Sequence, residues 1–187
     1  MPATTASPTS ADSLYLDALY ESIKEAHSAL RPAVCITPLT YSARLSALSG
    51  CEVLLKCEHL QHTGSFKFRG ASNKIRLLPT EARKRGVIAA SSGNHGQALA
   101  LAGKTAGVPV TVYTATSASP YKLEAMRALG AEVLCLPTDP LSAELEAGRQ
   151  AKAQGVPFVS PYNDLQVIAG QGTIGMESVS YTHLTLP

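Results

Sequence analysis

The chain is short of charge. Only 16% of its 187 residues are Asp, Glu, Lys or Arg, and sixteen basic residues against fourteen acidic ones leave a formal charge of +2. That balance argues against a strongly basic nucleic-acid binder and against a disordered chain. Long apolar runs are missing: none approaches the ~20 residues that span a bilayer. Cysteine is sparse, and Cys35, Cys51, Cys57 and Cys135 form no CxxC pair. With no signal-peptide pattern before them, a reduced, cytoplasmic setting is expected. No arginine precedes Arg31, which argues against an organellar transit peptide. A P-loop signature is absent, and a dinucleotide-binding glycine turn is not expected.

What is present is an ordinary soluble composition, 45% hydrophobic, with α/β grammar. Residues 1–12 are rich in Ser, Thr, Ala and Pro and are expected to be a disordered leader. Leu16, Leu19, Tyr20, Ile23, His27 and Leu30 recur at helical spacing, with Ser13 as an N-cap and a stop before Pro32. Ser42–Leu48 reads as a short helix with Gly50 beyond it, and Glu52–Glu58 as a buried strand. A helix is expected from about Phe66 to Leu78. Short apolar strands begin near Val87, Val110, Glu132 and Pro157. The first three are followed by helical segments ending at Gly107, Gly130 and Gly155, so a small parallel sheet of βα units is predicted over 86–163. Residues 13–85 and 164–178 are then parts of a second, larger unit that is incomplete. Residues 179–187, in the nonapeptide VSYTHLTLP, resemble the translation of a sequencing adapter, so the native reading is expected to break near Glu177 or Ser178.

Two segments carry candidate chemistry. Ser91-Ser92-Gly93-Asn94-His95-Gly96 follows a predicted strand and opens a helix. Unpaired amides at a helix start favour a carboxylate or phosphate, and glycines let the backbone approach it. The same letters also fit a turn glycine, an Asn94 cap and a packed His95. In Thr63–Gly70, Lys67 lies between Phe66 and Phe68. Apolar surroundings lower an amine's pKa and make it a nucleophile, although from composition alone a helix start with Lys67 snorkelling to solvent is favoured, because Lys beside Phe is common. Cys51, Cys57, His59 and His62 match no usual zinc spacing, so no metal site is expected. Arg83-Lys84-Arg85 reads as a solvated helix end.

Together KCEHLQHTGSFKFRGASNKI (Lys56–Ile75), SSGNHGQALA (Ser91–Ala100) and VIAGQGTIGME (Val167–Glu177) resemble the fold-type II pyridoxal-phosphate enzymes. The nearest branch is serine racemase and the serine/threonine dehydratases. The resemblance implies a three-layer α/β fold like the tryptophan synthase β-chain, with a small parallel domain and a larger one. It implies that Lys67 forms the Schiff base with the cofactor and moves protons at the substrate α-carbon. Asn94 would hydrogen-bond the cofactor and Phe66 would pack beside it. Ser91, Ser92, Asn94 and His95 would hold the substrate carboxylate, and Ser92 would act on the other face of the α-carbon in racemisation. The family's glycine-rich phosphate loop, its pyridine-nitrogen partner and any divalent-cation site come later than Glu177, so the chain as written is expected to retain cofactor weakly and to be inactive. The complete protein is expected to be a homodimer acting on small amino acids, with no nucleic-acid or membrane partner. The alternative class is a non-catalytic module that binds small anions on the same α/β unit. Amplifying the source locus checks the expected break: a frame that diverges after about Glu177 supports it, and an intact gene ending at Pro187 overturns it.

Overall fold

The structure, a computed structural model, describes residues 10–184, with side chains over 14–180. Its elements run α1 (Ser10–Leu30), β1 (Leu39–Tyr41), α2 (Ala43–Ser49), β2 (Leu54–Lys56), two 3-10 turns (Glu58–Leu60 and His62–Gly64), α3 (Lys67–Arg76), α4 (Thr80–Arg85), β3 (Val87–Ala90), α5 (Asn94–Ala106), β4 (Val110–Ala115), α6 (Pro120–Ala128), β5 (Glu132–Leu136), α7 (Pro140–Gln154) and α8 (Leu165–Leu184). Residues 1–9 of the expected leader lie outside the described residues. Residues 10–12 already belong to α1, so the helix begins ahead of the predicted Ser13 cap. At the other end α8 continues through Leu184, across the expected break near Glu177.

Local chemistry explains most boundaries. The Ser42 side chain accepts the Leu45 amide to start α2, and Gly50 closes it in the left-handed region. Asp139 caps α7 through the Ser142 amide, Pro140 occupies the first turn, and Gly155 ends the helix at φ +65°.

β3, β4 and β5 form the predicted parallel sheet, with Val87 opposite Val110 and Thr111 opposite Glu132. The strand expected at Pro157 shrinks to one bridge between Ile88 and Phe158. Pro157 has no amide to donate, so only the Ile88 amide to its carbonyl and the Val159 amide to the Ile88 carbonyl tie it to β3. Side chains alternate between two covered faces. Val87, Ala89, Val110, Val112, Val133 and Cys135 join the main core with residues of α3, α5 and α6. Ile88, Ala90, Tyr113, Leu134 and Leu136 face α7 through Ala147 and Ala151.

The expected buried strand at Glu52–Glu58 is corrected. Only Leu54–Lys56 is strand, paired antiparallel with β1 in a two-stranded sheet. Leu55 is 43% exposed, because among the described residues no further strand or helix covers that side. On α1 the buried seam is narrower than predicted: Ala26 and Leu30 are buried, whereas Leu16 and Tyr20 are exposed.

Helices α3 and α8 cross at near-contact of their backbones. A Cβ on Gly70 would lie 2.7 Å from the Val167 carbonyl oxygen, and one on Gly170 would lie 2.6 Å from that of Arg69. Gly172 makes room for the Ile23 side chain of α1. Gly170-Gln171-Gly172-Thr173-Ile174-Gly175 does spell the dinucleotide fingerprint, contrary to expectation. It lies inside α8 and not at a strand-to-helix turn, and its first two glycines serve helix packing while Gly175 faces open space. Gly170→Ala should therefore destabilise the fold by about 2 kcal/mol in urea unfolding, although alanine favours an isolated helix by about 1 kcal/mol.

Candidate active site

The sheet reverses its winding beside β3. The chain passes from β3 to β4 on one side, then returns after α7 to the opposite edge of β3 at Phe158. The carboxyl end of β3 is thus a topological switch point, where open α/β sheets bind ligands. The Ser91–Gly96 loop and the 160–162 segment meet there. Between them lies a cleft of about 240 Å³ whose lining includes Ser91, Ser92, His95, Thr114, Glu144 and Tyr162.

The loop is built to present the start of α5. Ser91 Oγ accepts the amides of Gly93, at 3.1 Å, and Gly96, at 2.9 Å. Its own hydroxyl proton stays available to a ligand. A Cβ on Gly96 would collide with the Met126 sulfur, so only glycine brings the loop this close to α6. A Cβ on Gly93 would lie 3.0 Å from Lys122 Nζ, which sets an ammonium against the open end of the helix. Ser92 and Asn94 are exposed. Ser92 lines the cleft and Asn94 is not in its wall.

His95 lines the cleft from a buried position. It is 4% exposed, and its Nε2–H donates to the Val159 carbonyl at 3.0 Å. Nδ1 is then a buried lone pair without a protein partner among the described residues. Burial, with the nearby charge of Lys67 adding to it, pushes the imidazole pKa down to about 4, despite the opposing Val159 hydrogen bond.

Lys67 does not line the cleft but bonds one of its wall residues. It opens α3, and its Nζ donates to the Pro161 carbonyl at 2.8 Å. Pro161 is itself part of the cleft wall, and Gln171 Nε2 donates to the same oxygen at 3.4 Å. The Phe66 ring, 37% exposed, lies with its centroid 5.1 Å from Nζ. Desolvation by burial lowers the lysine pKa, the direction its two phenylalanine neighbours predict. Ser65 Oγ, two residues earlier, is buried without a partner among the described residues.

The structure therefore brings Ser91, Ser92 and His95 around one cleft, with the Lys67 amine behind its Pro161 wall, Phe66 beside the amine and Asn94 on the adjoining exposed turn. Sequence reading missed Pro161, Tyr162 and Glu144. The Tyr162 hydroxyl donates to Glu144, 2.5 Å from Oε1 and 2.6 Å from Oε2. The signal was the end of the fourth predicted strand, which points its following loop at the same edge of the sheet as Ser91. No group of three or more His, Cys, Asp or Glu side chains gathers in metal-binding geometry among the described residues.

A partly buried amine close enough to the start of α5 for its charge to act on His95 suits chemistry on a carbonyl compound bearing an acid group. Comparison with known proteins agrees. The family model described as pyridoxal-phosphate dependent enzyme matches residues 30–185. An L-threonine ammonia-lyase of Thermotoga maritima is 49% identical over 158 residues, which are 84% of this chain and 39% of that protein. A serine racemase from Dictyostelium discoideum superposes with a TM-score of 0.78 at 39% identity, over 86% of this chain and 52% of its own. The processed threonine deaminase isoform 2 from Solanum lycopersicum gives 0.81 at 32% identity, over 88% and 48%. The chain thus spans about half the length, or less, of the relatives it matches.

The buried imidazole has a pH consequence. Its pKa is about 4 in the fold against 6.5 ordinarily. Between those values the unfolded chain binds a proton that the folded chain refuses. Stability is therefore complete above about pH 6.5 and falls as pH drops toward 4, by about 3 kcal/mol at most. Urea unfolding at pH 7 and pH 4.5 should show the loss, and His95→Gln, which keeps a donor, should remove most of this difference.

Proposed function

Because the chain belongs to the pyridoxal-phosphate-dependent enzyme family, we propose that the complete protein dehydrates and deaminates small hydroxy amino acids such as serine or threonine, or racemises them. Dehydration would give a 2-oxo acid and ammonia. One observation carries the proposal: a partly buried Lys67 amine bonds the carbonyl of Pro161, and Pro161 shares the wall of one cleft at the sheet's switch point with Ser91, Ser92 and His95. A binding module has no need of a desolvated primary amine there, which disfavours the non-catalytic anion-binding alternative.

The residues present fit the cofactor. Lys67 supplies the amine, Phe66 an exposed ring beside it, and Asn94 an exposed amide one turn from Ser91. When bound, pyridoxal phosphate supplies an electron sink for the bond broken at the substrate α-carbon. The start of α5, the Ser91 hydroxyl and the Lys122 ammonium hold the substrate carboxylate. His95 acts by orienting the loop, through its tie to Val159. Lys67 Nζ takes the α-proton, because its lowered pKa keeps more of the amine neutral. Ser92 is the second proton carrier that racemisation requires and elimination does not.

The same proposal covers the setting. We read 86–163 as a small domain and 13–85 with 164–178 as parts of a larger one, supported by a three-stranded sheet confined to 87–136. A homodimer and a cytoplasmic location are proposed for the complete protein, which leaves room for a divalent cation outside this chain. Among the described residues no helix is long and apolar enough to cross a membrane. All four cysteines are free, as a reduced compartment would leave them.

The test uses the complete protein with pyridoxal phosphate, assayed on L-serine, D-serine and L-threonine. Lys67→Ala should abolish both the visible absorption of bound cofactor and the borohydride-fixed adduct, with activity down at least about a thousandfold. Ser92→Ala should lower racemisation at least about tenfold more than dehydration. Equal losses in the two reactions would reject the second-carrier role.

A further inference from the structure

Two residues beyond Lys67, the Arg69 side chain is fully enclosed, with 0% exposure. Its Nε donates to Glu58 Oε2 at 2.8 Å and its Nη2 to Glu58 Oε1 at 2.8 Å. On the other side Nη1 donates to Glu177 Oε1 at 2.6 Å and Nη2 to Glu177 Oε2 at 2.9 Å. Thr173 Oγ1 accepts the remaining Nη1–H at 3.3 Å, and the Cys35 carbonyl shares an Nη2–H at 3.3 Å. Lys56 Nζ bonds Glu177 Oε2 and the Thr37 carbonyl, each at 2.6 Å, and the Thr37 hydroxyl donates to Glu58 Oε1 at 2.6 Å. Two cations and two anions thus neutralise one another with little exposure to water. None of these residues lines the cleft.

Beyond the packing of Phe68 and Gly70, the start of α3 has no polar tie from a cap. No side chain caps the helix at Phe66. The chain enters through Thr63, a non-glycine residue at φ +60°, a conformation that L-residues rarely adopt. The forked grip on Arg69, by contrast, fixes rotation as well as position, because each carboxylate is met by two parallel N–H groups. One partner comes from the turn after β2 and the other from α8.

We propose that Arg69 is a positioning residue for Lys67: clamped between Glu58 and Glu177, it sets the first turn of α3 so that Nζ meets the Pro161 carbonyl at the cleft. The proposal builds on the function assigned to Lys67 above. It separates a geometric role from mere support of the fold, since apolar residues of equal volume would fill the same space at least as stably.

The test again uses the complete protein. Glu177→Gln keeps the shape and removes one charge, and Leu134→Ala on β5 is a control that lowers stability away from α3. Without cofactor, acetylation of Lys67 is compared with that of the other lysines across pH by peptide mass. With pyridoxal phosphate, borohydride fixation at Lys67 is measured in parallel. Glu177→Gln is expected to lower Lys67 acetylation at least fivefold relative to the other lysines and to slow fixation similarly, while Leu134→Ala changes neither. A Glu177→Gln protein that melts lower yet labels Lys67 at the parent rate and pH overturns the proposal. If Glu177→Gln does not fold, Lys56→Met at the edge of the cluster carries the same comparison. A parent that never fixes pyridoxal phosphate at Lys67 overturns the functional assignment, and a labelling contrast that persists there still supports the geometric one.

Discussion

The buried Arg69 fork is the interaction on which the rest of this structure depends. It ties three parts of the chain that share no sheet: the turn after β2, the start of α3, and α8. Burial alone would lower the Arg69 pKa, but the hydrogen bonds to Glu58 and Glu177 outweigh it and the net displacement is upward. Burial would likewise raise Glu177, and the bonds from Arg69 and Lys56 reverse that into a lowered value. Such a cluster adds little net stability, because desolvating four charges cancels most of their attraction. Losing one partner is another matter, costing about 3–5 kcal/mol. The cluster therefore acts as a selector of one arrangement of these elements.

Around it, close packing does the positioning. Glycines at 70 and 170 let α3 and α8 approach until backbones nearly touch, and Gly172 makes room for the Ile23 side chain of α1. On the other face of α3 the alternating strands bury one row of side chains against α3, α5 and α6 and the other against α7. With both faces covered, ligands reach the sheet at the ends of its strands, and the reversal of winding beside β3 makes room there. Lys67, delivered by α3, and the Ser91–Gly96 loop, delivered by β3, meet at that edge.

Much of this was legible in the residues. The α5 and α7 boundaries could be read because Gly107 and Gly155 close their helices in the left-handed region. The parallel sheet was legible from strands of similar length at steady intervals. The strand at Glu52–Glu58 was over-read, because apolar letters say that a segment wants cover and not whether cover is present. The fourth strand failed on a single missing amide at Pro157. Lys56, Glu58, Arg69 and Glu177 all stood inside motifs that carried the family resemblance, yet their mutual pairing was invisible. An isolated charge in an apolar segment reads as solvated until a partner from elsewhere is brought to it.

The sequence by itself determined the chemical alphabet of the site: an amine between two aromatic rings, and a glycine-bracketed run of hydroxyl, amide and imidazole at a strand's end. Residue type and local spacing suffice for that, because capping, strand alternation and the environment of Lys67 are short-range effects. Only the tertiary structure decided which of those groups share a cleft. His95 turned inward to the Val159 carbonyl, and Lys67 was met by Pro161, 94 positions away in the chain. Those outcomes depend on desolvation and on the pairing of distant partners, which exist only once the helices have closed on one another.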